Sequence, residues 1–154
     1  MAPLSIRTAQ PVDLPRLTLM REALWPSSSA AEHAGELAHI LAGKPPGILP
    51  FAIFVAEVAD GTLLGFLEAS LRSCADECDL AQPVGYVEGW YVVEGARQQG
   101  VGAALLRAAE NWERGQGCKE MASDAAIDNL VSQSVHEALG FQVTSRAVLF
   151  RKSL

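Results

Sequence analysis

Two glycines that follow an apolar stretch have the types and spacing of a phosphate-binding site. Gly100 and Gly102 come after the apolar residues 92–93 and open a stretch of helical periodicity, so their missing side chains would let an anion approach the backbone. Free N–H groups and the dipole at a helix start favour a pyrophosphate, and Arg97 adds a permanent positive charge nearby. The alternative is that both glycines only permit a turn or close packing.

Two other phosphate motifs do not fit this stretch. A Walker P-loop is excluded because no Gly-Lys-Ser/Thr follows the glycines. A dinucleotide fingerprint is also missing, since it requires a third spaced glycine and a following βαβ unit. The phosphate interpretation therefore depends on the surrounding elements.

Those elements are predicted to mix strands and helices, which gives an α/β fold class with a mixed α+β sheet. Asp60-Gly61 is a strong turn signal between two strand-like runs and predicts a hairpin. The predicted elements are strands at 4–7, 51–58, 62–72, 84–93, 118–123 and 141–151, and helices at about 14–25, after the serines at 27–29, from 101 to about 115, and from Asp128-Asn129 to Gly140. No internal repeat interrupts this order.

Composition narrows the classes of function. The 154 residues, 49% of them apolar, predict a single domain over residues 1–154. The net charge of −6 and 12 scattered basic residues argue against nucleic acid and are compatible with a cationic substrate. No apolar run is long enough to cross a bilayer, and three cysteines lack metal-ligand spacing, so we expect a cytoplasmic protein with no membrane and no metal site.

The motif Arg97-x-x-Gly100-x-Gly102 after an apolar strand resembles the acetyl-CoA pyrophosphate motif of the GNAT acetyltransferase superfamily. Asn129 and the sequence ALGF at 138–141 resemble a later motif of the same superfamily. The resemblance covers nearly the whole chain. It implies a central, mostly antiparallel and splayed sheet flanked by helices, with acetyl-CoA as cosubstrate.

Within the superfamily, the sequence is similar to the aminoglycoside 6'-N-acetyltransferases. The similar segments lie in the same order as in that family, at residues 24–25, 67–72, 83–92 and 122–129. This resemblance implies transfer of acetyl from acetyl-CoA to the 6'-amine of an aminoglycoside by direct attack of the amine, which confers antibiotic resistance. It also implies a homodimer, for which an exposed final strand would offer an edge.

The resemblance assigns roles to individual residues. Trp90, Tyr91 and Val92 would offer main-chain groups to the pantetheine arm and thioester, and Asn129 would contact the cofactor near its thiol end. The pyrophosphate would be held by the loop and helix start that contain Arg97, Gln98, Gln99, Gly100, Val101, Gly102 and Ala103. Trp25, Glu88 and Asp124 match positions that line the aminoglycoside site.

The two carboxylates suit this chemistry. A primary amine is protonated at neutral pH and must lose a proton before it attacks a thioester, so Glu88 and Asp124 are the predicted catalytic residues. A carboxylate without a partner is costly to bury, which favours a functional role for Glu88 in its apolar strand. The alternative for Asp124 is that it only ends a loop. The alternative for Trp25 is that it is a core side chain and contacts no sugar ring.

Three positions depart from the aminoglycoside family pattern. Ala75 lies in a loop where relatives often have a substrate-facing tyrosine. Ser145 stands at the place of a substrate-facing glutamate in the family pattern, and Leu149 at a place where some relatives have a tyrosine suited to act as the acid. These departures leave the catalytic acid unassigned. They also leave the range of substrates open. Two alternative functions remain: acetylation of a protein N-terminus, a lysine or a polyamine, and a non-enzymatic acyl-CoA-sensing module.

Overall fold

The computed structural model describes residues 3–154. The strands are β1 (Leu4–Thr8), β2 (Phe51–Val58), β3 (Leu63–Arg72), β4 (Val84–Val92) and β5 (Met121–Ser123), and the α-helices are α1 (Leu14–Leu24), α2 (Ala30–Leu41), α3 (Val101–Gly115) and α4 (Leu130–Ala138). Short 3-10 turns precede α1 and follow β4. The predicted alternation of strands and helices is confirmed up to α4.

Local capping signals set several of these boundaries. The Ser29 side chain accepts a hydrogen bond from the Glu32 amide and begins α2, and the Glu32 carboxylate accepts one from the Ser29 amide in return. Gly61 adopts a φ of 86° in the hairpin turn, and Gly140 a φ of 98° after α4. Each of these residues was predictable from type and position alone.

The five strands form one sheet in the order β1-β2-β3-β4-β5. The first three pairings are antiparallel, whereas β4 and β5 run parallel. This last pairing joins only Gly85, Tyr86 and Val87 to the three residues of β5. Beyond Val87 the two strands part, so the sheet is mostly antiparallel and splayed, as predicted.

Helices cover both faces of the sheet. On one face, Leu105 and Ala109 of α3 are fully buried against Leu67 and Val87. On the other face, Leu17 of α1 and Leu37 of α2 pack around Phe66. The hydrophobic core is therefore divided by the sheet into two layers.

A β-bulge changes the direction of side chains along β4. Glu68 of β3 pairs with Gly89 while Ala69 pairs with Val87, so Glu88 is an extra residue without its own partner. After this bulge, Trp90 packs with α3 and Tyr91 packs on the opposite layer with α1 and α2. The bulge therefore lets both Glu88 and Tyr91, three residues apart, face the side of α1 and α2.

The prediction of a final strand at 141–151 is wrong. In the described chain, residues 141–154 form neither strand nor helix, and every residue from 142 onward is exposed. The segment contacts other parts of the chain through side chains: Ser145 donates a 2.7 Å hydrogen bond to Asp76, and Arg146 one of 3.4 Å to Gln133. A strand requires hydrogen bonds to a neighbouring strand, and none of the described strands lies alongside this segment.

Candidate active site

The loop after β4 and the start of α3 leave several amides open. Gly100 precedes α3 with a φ of 81°, a left-handed conformation that favours glycine, and it is exposed. Ala104 is the first residue of the helix whose amide bonds back, to the Gly100 carbonyl at 3.0 Å. The amides of Val101, Gly102 and Ala103 have no partner within the helix, so they can face an anion.

Side chains fix the shape of this loop. The Arg97 Nε donates a 2.9 Å hydrogen bond to the Val92 carbonyl and its guanidinium lies 5.7 Å from the ring of Tyr91. Gln99 donates to the Gly95 carbonyl at 3.0 Å, and Gln98 has a φ of 60°, which is uncommon for a residue with a side chain. The loop that was predicted to hold pyrophosphate is thus tied to the end of β4.

The gap between β4 and β5 begins immediately beside this loop. From Glu88 to Val92, the edge of β4 that faces β5 has no strand partner in the described chain. Trp90 lies here with its indole Nε1 buried and without a hydrogen-bond partner among the described residues. Asn129, predicted to contact the cofactor, caps α4 by accepting a 3.0 Å hydrogen bond from the Ser132 amide.

A serine and a histidine meet at the inner end of the gap. The Ser123 hydroxyl lies 2.8 Å from Nε2 of His136, whose Nδ1 lies 2.7 Å from the Ser132 carbonyl. The His136 ring also packs edge-on against Trp90, with centroids 5.3 Å apart. Because a carbonyl only accepts, Nδ1 carries the proton in neutral His136 and Nε2 accepts from Ser123. Sequence analysis gave this histidine no role.

A second cavity, of about 1130 Å³, opens on the opposite side of β4. Helices α1 and α2, the loop after α2, the end of β3 and Glu88 of β4 form its walls. Its charged and aromatic lining includes Arg21, Trp25, Glu36, Glu68, Arg72 and Glu88. The structure therefore brings two of the predicted substrate residues, Trp25 and Glu88, to one cavity rich in carboxylates.

Trp25 is held at the floor of this cavity by its neighbours. A β-carbon at position 89 would lie 2.7 Å from Cζ2 of the Trp25 ring, so only glycine fits under the indole. His33 stacks on Trp25 at 6.4 Å between centroids and its Nε2 lies 3.0 Å from the Trp25 carbonyl. His33 is only 3% exposed. Trp25 itself is partly exposed to the cavity and is not a core residue.

Hydrogen bonds from Ser70 and Arg72 pair the Glu88 carboxylate within its apolar strand. Its Oε1 accepts hydrogen bonds from Ser70 at 2.6 Å and from Nε of Arg72 at 2.9 Å. Its Oε2 accepts from another guanidinium nitrogen of Arg72 at 2.7 Å. Burial alone would raise the pKa of Glu88, but the hydrogen bonds from Arg72 and Ser70 outweigh burial and lower it. The carboxylate is therefore ionised at neutral pH.

Asp124 lies outside the residues that line this cavity, but a short chain of contacts connects it to Glu88. Its Oδ2 accepts a 2.6 Å hydrogen bond from the Tyr86 hydroxyl. The Arg72 guanidinium lies 3.5 Å from the centroid of the Tyr86 ring, which places Arg72 between the two carboxylates. Burial and the bond to Asp124 both raise the pKa of Tyr86, so its hydroxyl stays protonated.

Sequence analysis missed the buried ion pair behind Trp25. Arg21 donates to both oxygens of Glu68, at 2.6 and 2.9 Å, and to Glu36 at 2.9 Å. Arg21 and Glu68 are 4% and 2% exposed, and the guanidinium lies 5.3 Å from the Trp25 ring. Glu68 interrupts an apolar strand in the same way as Glu88, and this was the signal that could have revealed the pair.

The acetyltransferase (GNAT) family profile matches residues 17–141. The chain belongs to the GNAT acetyltransferase family. Among the described residues of this acetyltransferase, no cluster of His, Cys, Asp or Glu could hold a metal ion. In the same part of the chain, no helix is both long and apolar enough to cross a membrane.

Curated relatives of this acetyltransferase share one description. An aminoglycoside N(6')-acetyltransferase type 1 from Klebsiella aerogenes is 44% identical over 97% of this chain and 96% of its own length. A protein of the same description from Acinetobacter haemolyticus is 36% identical over 98% of this chain and 99% of its own length.

Solved structures agree with these relatives. Aminoglycoside acetyltransferase AAC(6')-Iy in complex with the bisubstrate analogue CoA-S-monomethyl-acetylneamine is 36% identical, with a TM-score of 0.86 over 99% of this chain and all of that chain. The same enzyme in complex with CoA gives a TM-score of 0.87 at 35% identity, over 100% of this chain and 97% of that chain. The prediction of an aminoglycoside acetyltransferase relationship is therefore confirmed.

Proposed function

We infer that this chain is an acetyl-CoA-dependent aminoglycoside 6'-N-acetyltransferase. It transfers acetyl from acetyl-CoA to the 6'-amino group of aminoglycoside antibiotics and so confers resistance. A relative with this activity in its name is 44% identical over 97% of this chain. The single observation in the structure that carries the proposal is that the open amides and the carboxylate-rich cavity adjoin the same strand, β4. The donor and the amine can meet there.

The residues present fit acetyl-CoA. The open amides of Val101, Gly102 and Ala103, with the flanking Arg97 to Gly100 loop, would hold the pyrophosphate. The unpaired edge of β4 at Trp90, Tyr91 and Val92 offers main-chain groups to an extended pantetheine arm, in the manner of an added strand. Asn129 begins α4, the helix that follows β5, and would approach the thiol end.

Carboxylates of the second cavity suit the acceptor. Aminoglycosides carry several ammonium groups, which form charge-assisted hydrogen bonds with carboxylates. Glu88 and Trp25 would hold the aminosugar, with the indole against a sugar face. Acetyl-CoA would supply a thioester whose carbonyl carbon the neutral amine attacks directly; the C–S bond breaks, and the CoA thiolate leaves and takes a proton from solvent. Glu88 or Asp124 takes the amine proton, through water where the distance requires it.

An activity assay separates this proposal from its alternatives. The purified protein with acetyl-CoA should release thiol when kanamycin or tobramycin is added, and the product should carry acetyl on the 6'-nitrogen. A sensitive host that carries the gene should grow at a higher drug concentration than one carrying the Glu88→Gln, Asp124→Asn double variant. Turnover of peptides or polyamines without turnover of any aminoglycoside would contradict the proposal. Cofactor binding without turnover of any amine would also contradict it.

We also propose that the chain forms a homodimer through the exposed segment at 141–154. Val148, Leu149 and Phe150 are 75%, 92% and 91% exposed, and apolar residues so exposed are typical of a surface that another chain covers. Light scattering on a sizing column should give the mass of two chains. Leu149→Asp with Phe150→Ser should give one chain, whereas Val12→Asp, at a 77% exposed apolar residue elsewhere, should leave two. A monomeric wild type would contradict this proposal.

The cytoplasmic location and the single domain stay predictions of the sequence.

A further inference from the structure

Arg72 is the one arginine of the cavity that lies at its rim. Its side chain is 43% exposed, whereas Arg21 at the cavity floor is 5% exposed. Arg72 is the last residue of β3 and pairs in register with Val84, so its side chain reaches along the sheet to Glu88. A rim position between the cavity and solvent places the guanidinium on the path of an entering amine.

Arg72 limits how Glu88 can be contacted. An ionised carboxylate offers about four acceptor sites, two on each oxygen. Ser70 and Nε of Arg72 fill both sites of Oε1, and the second Arg72 contact fills one site of Oε2. One acceptor site is left, on Oε2. A substrate N–H can therefore reach Glu88 in one direction without displacing the arginine.

Arg72 is in turn held in place by the ring of Tyr86. The Tyr86 ring lies 3.5 Å from the guanidinium carbon, and Tyr86 is 7% exposed, so the ring cannot turn away easily. The hydrogen bond from the Tyr86 hydroxyl to Asp124 fixes the far end of the ring. A planar guanidinium with two hydrogen bonds and a stacked face is a fixed group, which a lysine cannot imitate.

We propose that Arg72 is a positioning residue for the acetylation: it orients the Glu88 carboxylate so that the open site on Oε2 receives an N–H of the substrate amine. This role rests on the proposed function. The effect expected on removing Arg72 is the opposite of what net charge alone predicts. Removal of Arg72 makes the cavity more negative, which would strengthen the binding of a polycation, whereas loss of orientation weakens the productive contact.

Kinetics of three variants test this role. Arg72→Gln and Arg72→Lys should each lower kcat/KM for tobramycin by about tenfold to a hundredfold, as expected for the loss of a charge-assisted contact. Arg16→Gln removes an exposed arginine of α1 and should retain wild-type kinetics. The affinity for CoA, measured by calorimetry, should not change in any variant, because Arg72 lies on the other side of β4.

Two further readouts separate positioning from a purely structural role. Methylguanidinium added to Arg72→Ala should restore part of the lost kcat/KM, and equal concentrations of methylammonium should not. The acid limb of the kcat/KM profile should move to higher pH in Arg72→Gln, because the pKa of Glu88 is no longer lowered by the arginine. Lysine at position 72 should shift this limb less than glutamine does.

The results that would overturn the inference are distinct from those that would overturn the function. If wild type acetylates tobramycin and Arg72→Gln binds it more tightly with unchanged kcat, Arg72 only repels the substrate and the inference is wrong. The same holds if Arg72→Lys has wild-type kinetics or if methylguanidinium restores nothing. If wild type acetylates no aminoglycoside, the proposed function itself is wrong.

Discussion

Glu113 is a buried carboxyl group whose ionisation should control stability at alkaline pH. It lies on α3, is 2% exposed, and neither of its oxygens has a hydrogen-bond partner in the described chain. Gly85 makes room for it, since a β-carbon there would collide with the carboxyl group. Burial raises the pKa of Glu113 from 4.5 to about 8, against a smaller opposing effect of the Tyr86 amide.

The sign and size of the effect follow from proton linkage. Between pH 4.5 and about 8 the unfolded chain has lost this proton while the folded protein keeps it, so stability falls as pH rises through that window. One pKa unit corresponds to about 1.4 kcal/mol, and the full shift from 4.5 to about 8 to roughly 5 kcal/mol. Below pH 4.5 both states are protonated and the contribution of Glu113 to stability is fully retained.

Urea unfolding from pH 5 to pH 9 measures this contribution. Through Glu113, wild type should lose up to about 1.4 kcal/mol of unfolding free energy per pH unit, and Glu113→Gln should not. The unfolding free energy of the variant relative to wild type should therefore rise with pH and level off above pH 8. Any fixed penalty of the buried amide leaves this difference in slope unchanged. Glu110→Gln, one turn earlier and 32% exposed, should keep most of the wild-type slope, because Glu110 is the smallest of the contributions to the Glu113 pKa. Parallel curves for wild type and Glu113→Gln would refute the reasoning.

Three further predictions concern the two openings beside β4. Gly89→Ala should displace the Trp25 indole and raise KM for tobramycin several-fold while CoA affinity, measured by calorimetry, stays unchanged; an unchanged KM would remove Trp25 from the sugar site. Gly100→Ala should lower thermal stability by about 1–2 kcal/mol because of its φ of 81°, and should weaken CoA binding in the same titration; full CoA affinity would contradict the amide cradle. Glu88→Gln and Asp124→Asn should each lower kcat by at least about tenfold, and wild-type kcat in both would rule out these carboxylates as bases.

Local sequence patterns predicted most of the fold because local interactions determine those elements. Ser29 caps a helix through its own backbone neighbours, and Asp60-Gly61 turns a hairpin within four residues. The predicted strand at 141–151 has a suitable apolar pattern, but a strand also needs a neighbouring edge. Whether such an edge exists is a tertiary or quaternary property that no local pattern contains.

The residues of the candidate site could be predicted from the sequence better than their hydrogen-bond partners. Glu88 stood out because it interrupts an apolar strand, but its partner Arg72 is 16 residues away and depends on the register of β3 against β4. The bulge at Glu88 shifts that register and leaves no mark on the sequence pattern. The contacts of His33 and His136 were missed because each depends on packing between two elements: His33 of α2 meets Trp25 at the end of α1, and His136 of α4 meets Ser123 of β5.

A crystal structure of the protein with CoA and tobramycin tests the central claim most directly. The account predicts the pyrophosphate on the amides of residues 101–103, the pantetheine arm along the open edge of β4, and the 6'-amine between the thiol sulfur and Oε2 of Glu88. Tobramycin bound away from the cavity of Trp25 and Glu88, or CoA bound away from the gap between β4 and β5, would contradict it.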